Sequence, residues 1–530
     1  MALGQSMLDR LTRRGAMIGV VCALISWIVS LHRVSKGLED WFQDACFAYR
    51  GTRATAARIV IVALDADSLR ALPKPFAFAS DELAHVIRYL LNQNVAGIGL
   101  DVIVPEELDG FKGLESGPRD LGDLALDSGR VVLAAIALDD DRIARPLADW
   151  RVPFQGSQNG LVTLGMVNFT EDMDHFVRRQ QLAFRVKDRP YFALAPALLA
   201  LGDPKSVTTS DGRLHIDHKP VPLDDAGSLR INFVGPAGSI PHVAFHAVLR
   251  ARSDGPPLLD HRGKVCNLKG ALVIIGVTSP SLGDLHAVPY SNGTLRGLLN
   301  RSMALMSGPE VHANVTATLA DRAFITTPPW LHPLPLALVL GALLGIAFSK
   351  LTLAQGAMLA IIHHFAWKAL GVAAFVAASW RIEMIPMLLT GAITYGLTFA
   401  FRWRWLRQTF GVVKGETVAR ALENDVGHMR LKGESREVTI LFSDIRNFTA
   451  FSEVHSPREV VTLLNTYFAA VVPEIEARGG VLDKYIGDGI MAIFGAPEPF
   501  DDHAVRAVGA AQALVGRVHA AARRWAELGF

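Results

Sequence analysis

Four long apolar blocks constrain this chain more than any other feature. They cover residues 15–31, 331–349, 356–380 and 384–401, and each is about long enough to cross a bilayer as a helix. The first block is uncharged and follows Arg10, Arg13 and Arg14. His32-Arg33-Val34-Ser35-Lys36 comes next, with no small-residue cleavage site, so the block reads as an uncleaved anchor and not as a removed signal peptide. The three arginines hold the N-terminus inside, and Arg402, Arg404 and Arg407 follow the last block. Both ends inside requires an even number of crossings, which four satisfies and three does not. His363, His364 and Lys368 interrupt the third crossing; they read as facing other helices or a dimer seam, with a proton or ion path and a helix that does not fully span as the rival readings.

The expected layout is a cytoplasmic N-terminus (1–14), a first transmembrane helix (15–32), an exported domain (33–328), three further helices (331–349, 356–380, 384–401), a cytoplasmic linker (402–434) and a cytoplasmic domain (435–530). A chain of 530 residues has room for these parts, and half its residues are hydrophobic. A net charge of +2 argues against a dedicated nucleic-acid binder, which would show a concentrated basic face. Of the three cysteines, Cys46 and Cys266 fall in the exported region, where a disulfide is chemically permitted; unpaired thiols are the expected state.

The exported region carries β-branched runs at residues 59–64, 97–104, 131–136 and 272–277, with helical periodicity between them, for instance over residues 80–91. Strands alternating with helices predict an α/β layer fold with a partly parallel sheet. Ile59-Val-Ile-Val-Ala-Leu-Asp65, Gly97-Ile-Gly-Leu-Asp-Val102, Ile231-Asn-Phe-Val-Gly-Pro236, Val273-Ile-Ile-Gly276 with Asp284-Leu-His286, and Glu310-Val-His-Ala-Asn314 together resemble the CHASE2 family of extracytoplasmic sensor domains. The resemblance implies a bacterial receptor, with one membrane helix before the sensor and three after it, and an unknown extracytoplasmic signal. Asp65, Asp101, Asp284, His286 and His312 sit at or near strand ends, where ligands of open α/β sheets bind; capping and buried polar networks are the plainer roles.

In the linker, Val418, Leu422 and Val426 recur every fourth residue and predict a short coupling helix. Beyond it, residues 438–442 read as a strand ending at Asp444. Apolar positions 460, 464, 467, 468, 471 and 475 have helix spacing, and residues 481–486 and 490–494 read as strands around Gly487-Asp488-Gly489, a hairpin signal. That order matches the first two thirds of a ferredoxin-like α+β unit. Asp444 and Asp488, 488 − 444 = 44 residues apart, would share one sheet edge, where like charges repel unless a cation neutralises them. The helix that follows Asp444 would offer free N–H groups to phosphate.

Phe442-Ser-Asp-Ile-Arg-Asn-Phe-Thr449, Leu464-Asn-Thr-Tyr-Phe468, Gly479-Gly480, Lys484-Tyr-Ile-Gly-Asp-Gly489 and Met491-Ala-Ile-Phe-Gly495 closely resemble the catalytic domain of class III adenylate/guanylate cyclases. The resemblance implies that Asp444 and Asp488, with the Ile445 carbonyl, bind two Mg²⁺ or Mn²⁺ ions. It implies that Phe448 and Thr449 contact the phosphates and that Lys484 selects adenine, since guanylate cyclases usually carry glutamate there. It further implies a head-to-tail homodimer at a bacterial inner membrane that converts ATP to cAMP and pyrophosphate under control of the exported sensor. Family members continue past residue 530 with a second purine-selecting residue, an asparagine and an arginine, so the chain as given is expected to be inactive. A non-catalytic sensor with a nucleotide-binding cyclase-like domain, and a guanylate cyclase, are the alternatives; a transporter rests only on His363, His364 and Lys368.

Overall fold

The computed structural model describes residues 2–76, 79–103, 121, 124–125, 127–138, 143–144, 164–186, 189–201, 206–210, 213–224, 226–252, 255–291, 304–409, 435–496 and 498–527. The linker positions Val418, Leu422 and Val426 lie outside them. The described chain divides into two compact units, Ile28–Pro333 with Ala366–Ile385, and Met1–Trp27 with Leu334–Phe365 and Pro386–Phe530.

Two helices open the chain, α1 (Ala2–Ser30) and α2 (Arg33–Arg50). The first large unit is then built on a sheet. Its strands are β1 (Ile59–Leu64), β2 (Gly97–Asp101), β3 (Val131–Ala137), β4 (Ile143–Ala144) and β5 (Leu164–Met166), followed by β6 (Arg179–Gln181) and β7 (Ser228–Arg230) as a separate ribbon, then β8 (His242–Ala244) and β9 (Leu272–Val277). The sheet order is β8-β1-β9-β2-β3-β4, with β5 beside β3. Every pairing in it is parallel except β3 with β4. The expected partly parallel α/β sheet is therefore present.

Its strands are near-continuous apolar runs because both faces are covered. Val60, Val62 and Leu64 of β1 pack with Leu83, Val86 and Ile87 of a helix over Ser80–Asn92, while Ile59, Ile61 and Ala63 pack on the other side with Leu194 and Leu198 and with Ala313 and Ala317 of the helix Gly308–Ala320. At Gly276 of β9, opposite Asp101 of β2, a Cβ would stand 2.4 Å from Pro309 Cγ, so this crossing needs glycine. Cys22, Cys46 and Cys266 are all free thiols.

Three more long helices follow, which we label α3 (Pro333–Lys350), α4 (Leu353–Ala378) and α5 (Ile385–Thr409). By length and composition, α1 over Thr12–Ser30, α3 and α4 are long and apolar enough to cross a membrane. The expected fourth span forms a helix but is not among them: its apolar stretch ends at Arg402, and it carries Thr390, Thr394 and Thr398, buried hydroxyls at four-residue spacing. Gly15 and Gly19 of α1 meet Gly345 and Gly341 of α3 backbone to backbone; a Cβ on Gly19 would lie 1.8 Å from the Gly341 carbonyl oxygen. His363 of α4 lies against Gly391 and is 3.1 Å from the Met387 carbonyl, both on α5, which is the interhelical role expected of it.

The last part of the second unit comprises β10 (Thr439–Ser443), α6 (Phe448–Val454), α7 (Pro457–Glu476), β11 (Val481–Ile486), β12 (Gly489–Phe494) and α8 (His503–Glu527). The strands form an antiparallel sheet in the order β10-β12-β11. A capping box fixes the start of α7: Ser456 and Glu459 each bond the other's backbone amide. Tyr467, Val471 and Ile475 of α7, with Ala507, Ala510 and Leu514 of α8, cover the sheet face bearing Leu441, Leu482, Ile490, Ala492 and Phe494. The opposite face leaves Phe442 66% exposed.

Candidate active site

Both aspartates arrive at one end of this small sheet. Asp444 leaves β10 immediately after Ser443, which pairs with Ile490. It lies beside Gly489, where a Cβ would come within 2.7 Å of the Ser443 carbonyl and 3.4 Å of Asp444 Oδ1. Asp488 is the second residue of the two-residue loop joining β11 to β12, since Ile486 pairs with Gly489. Gly487 precedes it with φ 66°, a conformation glycine takes readily. Asp488 Oδ2 accepts the Ile445 N–H at 3.2 Å, which ties the loop to the segment after β10. The Ile445 carbonyl accepts the Phe448 N–H at 3.3 Å and keeps a second lone pair.

Asp444 is exposed and Asp488 half-buried, so the carboxylates repel where solvent can still deliver a cation. Two carboxylates and a carbonyl are hard oxygen donors of the kind Mg²⁺ and Mn²⁺ prefer. No group of three or more His, Cys, Asp or Glu side chains converges among the described residues. A two-carboxylate site of this kind takes its remaining ligands from phosphate and water. The residues fit a divalent cation.

The other expected site residues lie nearby but do not all converge. Phe448 begins α6, half-buried, after Asn447 in the left-handed region with φ 61°, and Thr449 beside it is exposed. Lys484 is 59% exposed, with its Nζ 3.3 Å from Asp483 Oδ2. A β-bulge lets Leu482 pair with Ala492 and Lys484 with Met491, so Asp483 is the extra residue. The bulge reverses the strand's alternation. Leu482 faces the helices, whereas Lys484 joins Phe442 and Met491 on the open face.

Two further residues shape the site in ways that local sequence does not signal. Gly489 reads as a turn residue, although its missing side chain is what admits the Ser443 carbonyl immediately before Asp444. Tyr467 reads by spacing as part of an apolar stripe, but its hydroxyl bonds Ser443 Oγ and anchors the strand end that carries Asp444. A tyrosine at a core position facing a strand-end serine was the available signal, since buried tyrosine hydroxyls usually find a partner.

In the large sheet, Asp65 Oδ1 accepts the Ser68 N–H at 2.7 Å and caps the helix Ala66–Ala71, the plainer role expected of it. Asp101 ends β2 with His312 Nε2 3.7 Å from its Oδ1, and His286 Nε2 lies 3.1 Å from Asp284 Oδ1. Phe169 stands 4.4 Å, centroid to centroid, from each of the two imidazoles. Burial pushes the His312 imidazole down to about 3 and raises the Asp101 carboxyl well above the usual carboxylate range, with Asp284 adding to the rise.

Residues 18–349, well over half of the chain, match the CHASE2 domain. The chain belongs to the CHASE2 family. Residues 431–524 match the adenylate and guanylate cyclase catalytic domain, so the CHASE2 domain is followed by a cyclase domain. Relatives of that second part include an uncharacterized protein of Mycobacterium tuberculosis, 37% identical over 113 residues, which are 21% of this chain and 20% of that protein. An adenylate cyclase of Anabaena cylindrica is 50% identical over 60 residues, 11% of this chain and 12% of its own. Among solved structures, the guanylyl cyclase Cya2 is 40% identical over 18% of this chain and 50% of its own, with a TM-score of 0.18. The adenylyl cyclase CyaB from P. aeruginosa is 33% identical over 18% and 48%, with a TM-score of 0.17. The CHASE2 chain thus spans about a fifth of the first of these relatives and about half of each cyclase structure.

Proposed function

We propose that this protein is a membrane receptor whose CHASE2 domain, outside a bacterial inner membrane, regulates conversion of ATP to cAMP and pyrophosphate by the cyclase domain inside. The observation that carries the reading is the meeting of Asp444 and Asp488 at one sheet end, with Gly489 leaving room between strands. In this reading α1, α3, α4 and α5 all cross, the last aided by burial of its threonines among helices. The N-terminal arginines and the cyclase domain then share the cytoplasm, where ATP is. The proposed parts are those bounded at residues 14, 32, 328, 349, 380, 401 and 434. The strand order β10-β12-β11 suits the first three strands of a ferredoxin-like unit.

Asp444, Asp488 and the Ile445 carbonyl would hold two Mg²⁺ or Mn²⁺ ions. Bound there, the ions supply positive charge that makes a ribose 3′-hydroxyl more acidic and steadies a triphosphate. Asp488 also fixes the segment after β10 through the Ile445 amide. Phe448 and Thr449 border the phosphate end. Lys484 lies two strands and two register rows from Asp444, roughly 12 Å by strand spacing and rise, on the open face where a purine would reach it. Released from Asp483, its ammonium would donate to adenine N1. A homodimer would bring two such faces together.

The test is ATP turnover with Mn²⁺ in membranes carrying the full chain fused to the C-terminal half of an adenylyl cyclase domain, with GTP assayed alongside. The fusion forms cAMP in preference to cGMP. Asp444→Ala and Asp488→Ala each lower cAMP formation by about 100-fold or more, the scale of several kcal/mol of lost charge stabilisation. Intact cAMP formation in either variant sinks the site assignment, and nucleotide binding without turnover points to a non-catalytic sensor.

A further inference from the structure

Glu39 and Asp40 are adjacent acids on α2, only 6% and 8% exposed, and they serve different partners. Glu39 accepts the Met384 N–H at 2.9 Å on one carboxylate oxygen and the Ile385 N–H at 2.6 Å on the other. These amides stand at the start of α5, where backbone donors have no acceptor within their own helix. Pro386 offers no N–H at all. A carboxylate at this end also meets the positive pole of the helix dipole.

Asp40 carries the connection back into the CHASE2 domain. It lies 3.2 Å from Arg230, 3.6 Å from Arg179 and 3.6 Å from Arg381. Arg179 and Arg230 face each other across the β6–β7 ribbon, and Arg381 belongs to the turn between α4 and α5. Arg178, beside Arg179, grips Asp44 one turn further along α2 with two bonds, at 3.0 and 2.8 Å. The same turn is held by Asn232 Nδ2, which donates to Ser379 Oγ at 3.0 Å, and by Arg381 N–H, which donates to the Thr326 carbonyl at 2.9 Å. Ser379 sits at φ 54°, uncommon for serine, so outside partners and not its own preference set the turn's shape.

We propose that this relay, from Arg179 and Arg230 through Asp40 and Glu39 to the amides of Met384 and Ile385, is the device by which the CHASE2 domain controls the start of α5, the helix that leads on toward the cyclase domain. The proposal rests on the receptor reading above. Asp40 is shared between arginines of the ribbon and the arginine of the turn. A shift of the ribbon therefore redistributes its charge onto Arg381 and changes the hold that neighbouring Glu39 keeps on α5. Physical coupling between sites requires an element biased from both ends, and Asp40 touches both the ribbon and the turn.

The experiment follows amide hydrogen exchange of Met384 and Ile385 in the full chain reconstituted in lipid nanodiscs. Glu39→Gln raises their exchange at least tenfold. Arg179→Ala does so too, although it does not touch α5, and the double variant exchanges like Glu39→Gln alone because both act on one relay. Arg179→Ala leaving exchange within twofold of the unsubstituted chain overturns the proposal, as does a double variant whose two effects multiply. Protection of β1 and β9 in the same spectra reports folding. Should Arg179→Ala lose that protection, the isosteric Asp40→Asn carries the same expectations and the same overturning result. The readout needs no turnover, so failure of the cyclase assay and failure of the relay are separate results.

Discussion

At the scale of single residues, the site depends on an atom that is missing. A Cβ at position 489 would press on the Ser443 carbonyl at 2.7 Å, a backbone oxygen that cannot swing aside. Gly489→Ala is therefore expected to cost about 1–3 kcal/mol through overpacking and to displace Asp444. Mn²⁺ titration followed by electron paramagnetic resonance reads the weakened binding, and unchanged affinity counts against the cradle. In the CHASE2 domain, His242 donates Nδ1–H to the Ile240 carbonyl at 2.7 Å, and burial pushes its pKa down to about 4. An unfolded histidine titrates near 6.5. Between those values the unfolded chain binds the extra proton, so this group's contribution to stability rises with pH from about 4 to 6.5 and is lost on acidification. His242→Asn keeps an N–H donor and removes the titration. Denaturant unfolding of the solubilised chain at pH 7 and 4.5 should show the unsubstituted protein losing up to about 1.4 kcal/mol per pH unit more than the variant. Equal losses would remove the buried neutral imidazole from the account.

At the scale of elements, helix glycines differ in what surrounds them. Gly19 of α1 and Gly341 of α3 bring two backbones together, whereas Gly37 of α2 has nothing within 4 Å of where its Cβ would stand. Gly19→Ala must part the helices and is expected to destabilise the solubilised chain by about 1–3 kcal/mol. Gly37→Ala gains helix propensity and is expected to stabilise by about 0.5–1 kcal/mol. Thermal melts of both variants decide the matter, and shifts of the same sign would contradict the packing. The strands and helices at this scale were largely readable beforehand. β1 and β9 coincide with the β-branched runs 59–64 and 272–277, and α7 with the 460–475 stripe. The bulge in β11 was not readable: strand periodicity assumes an unbroken ladder, and the extra residue at Asp483 is settled only by pairing with β12.

At the scale of the whole molecule, the proposed topology places CHASE2 and cyclase parts on opposite sides of a membrane. Met173 of the CHASE2 domain and Val454 of the cyclase domain are both well exposed and suit labelling. In a chain with Cys266→Ser, Met173→Cys should react with a membrane-impermeant thiol reagent on intact cells, and Val454→Cys only after permeabilisation. Cys22 and Cys46 are buried and stay silent. Labelling of both positions before permeabilisation would break the even number of crossings. The apolar blocks made this arrangement arguable from composition, because a bilayer imposes one length and one polarity on whatever crosses it.

Sequence alone determined the kinds of part and their order: the apolar helices, the CHASE2 strings, the cyclase strings, and Asp444 and Asp488 as a pair. Those features are local, written in periodicity and in short runs whose chemistry needs no distant partner. Tertiary structure decided which groups meet. Glu39 bonds an amide 345 residues away, Asp488 reaches back to Ile445, and a bulge turns Lys484 to the open face. No local pattern encodes such meetings, because a buried carboxylate takes whichever donor the packing of remote elements delivers to it.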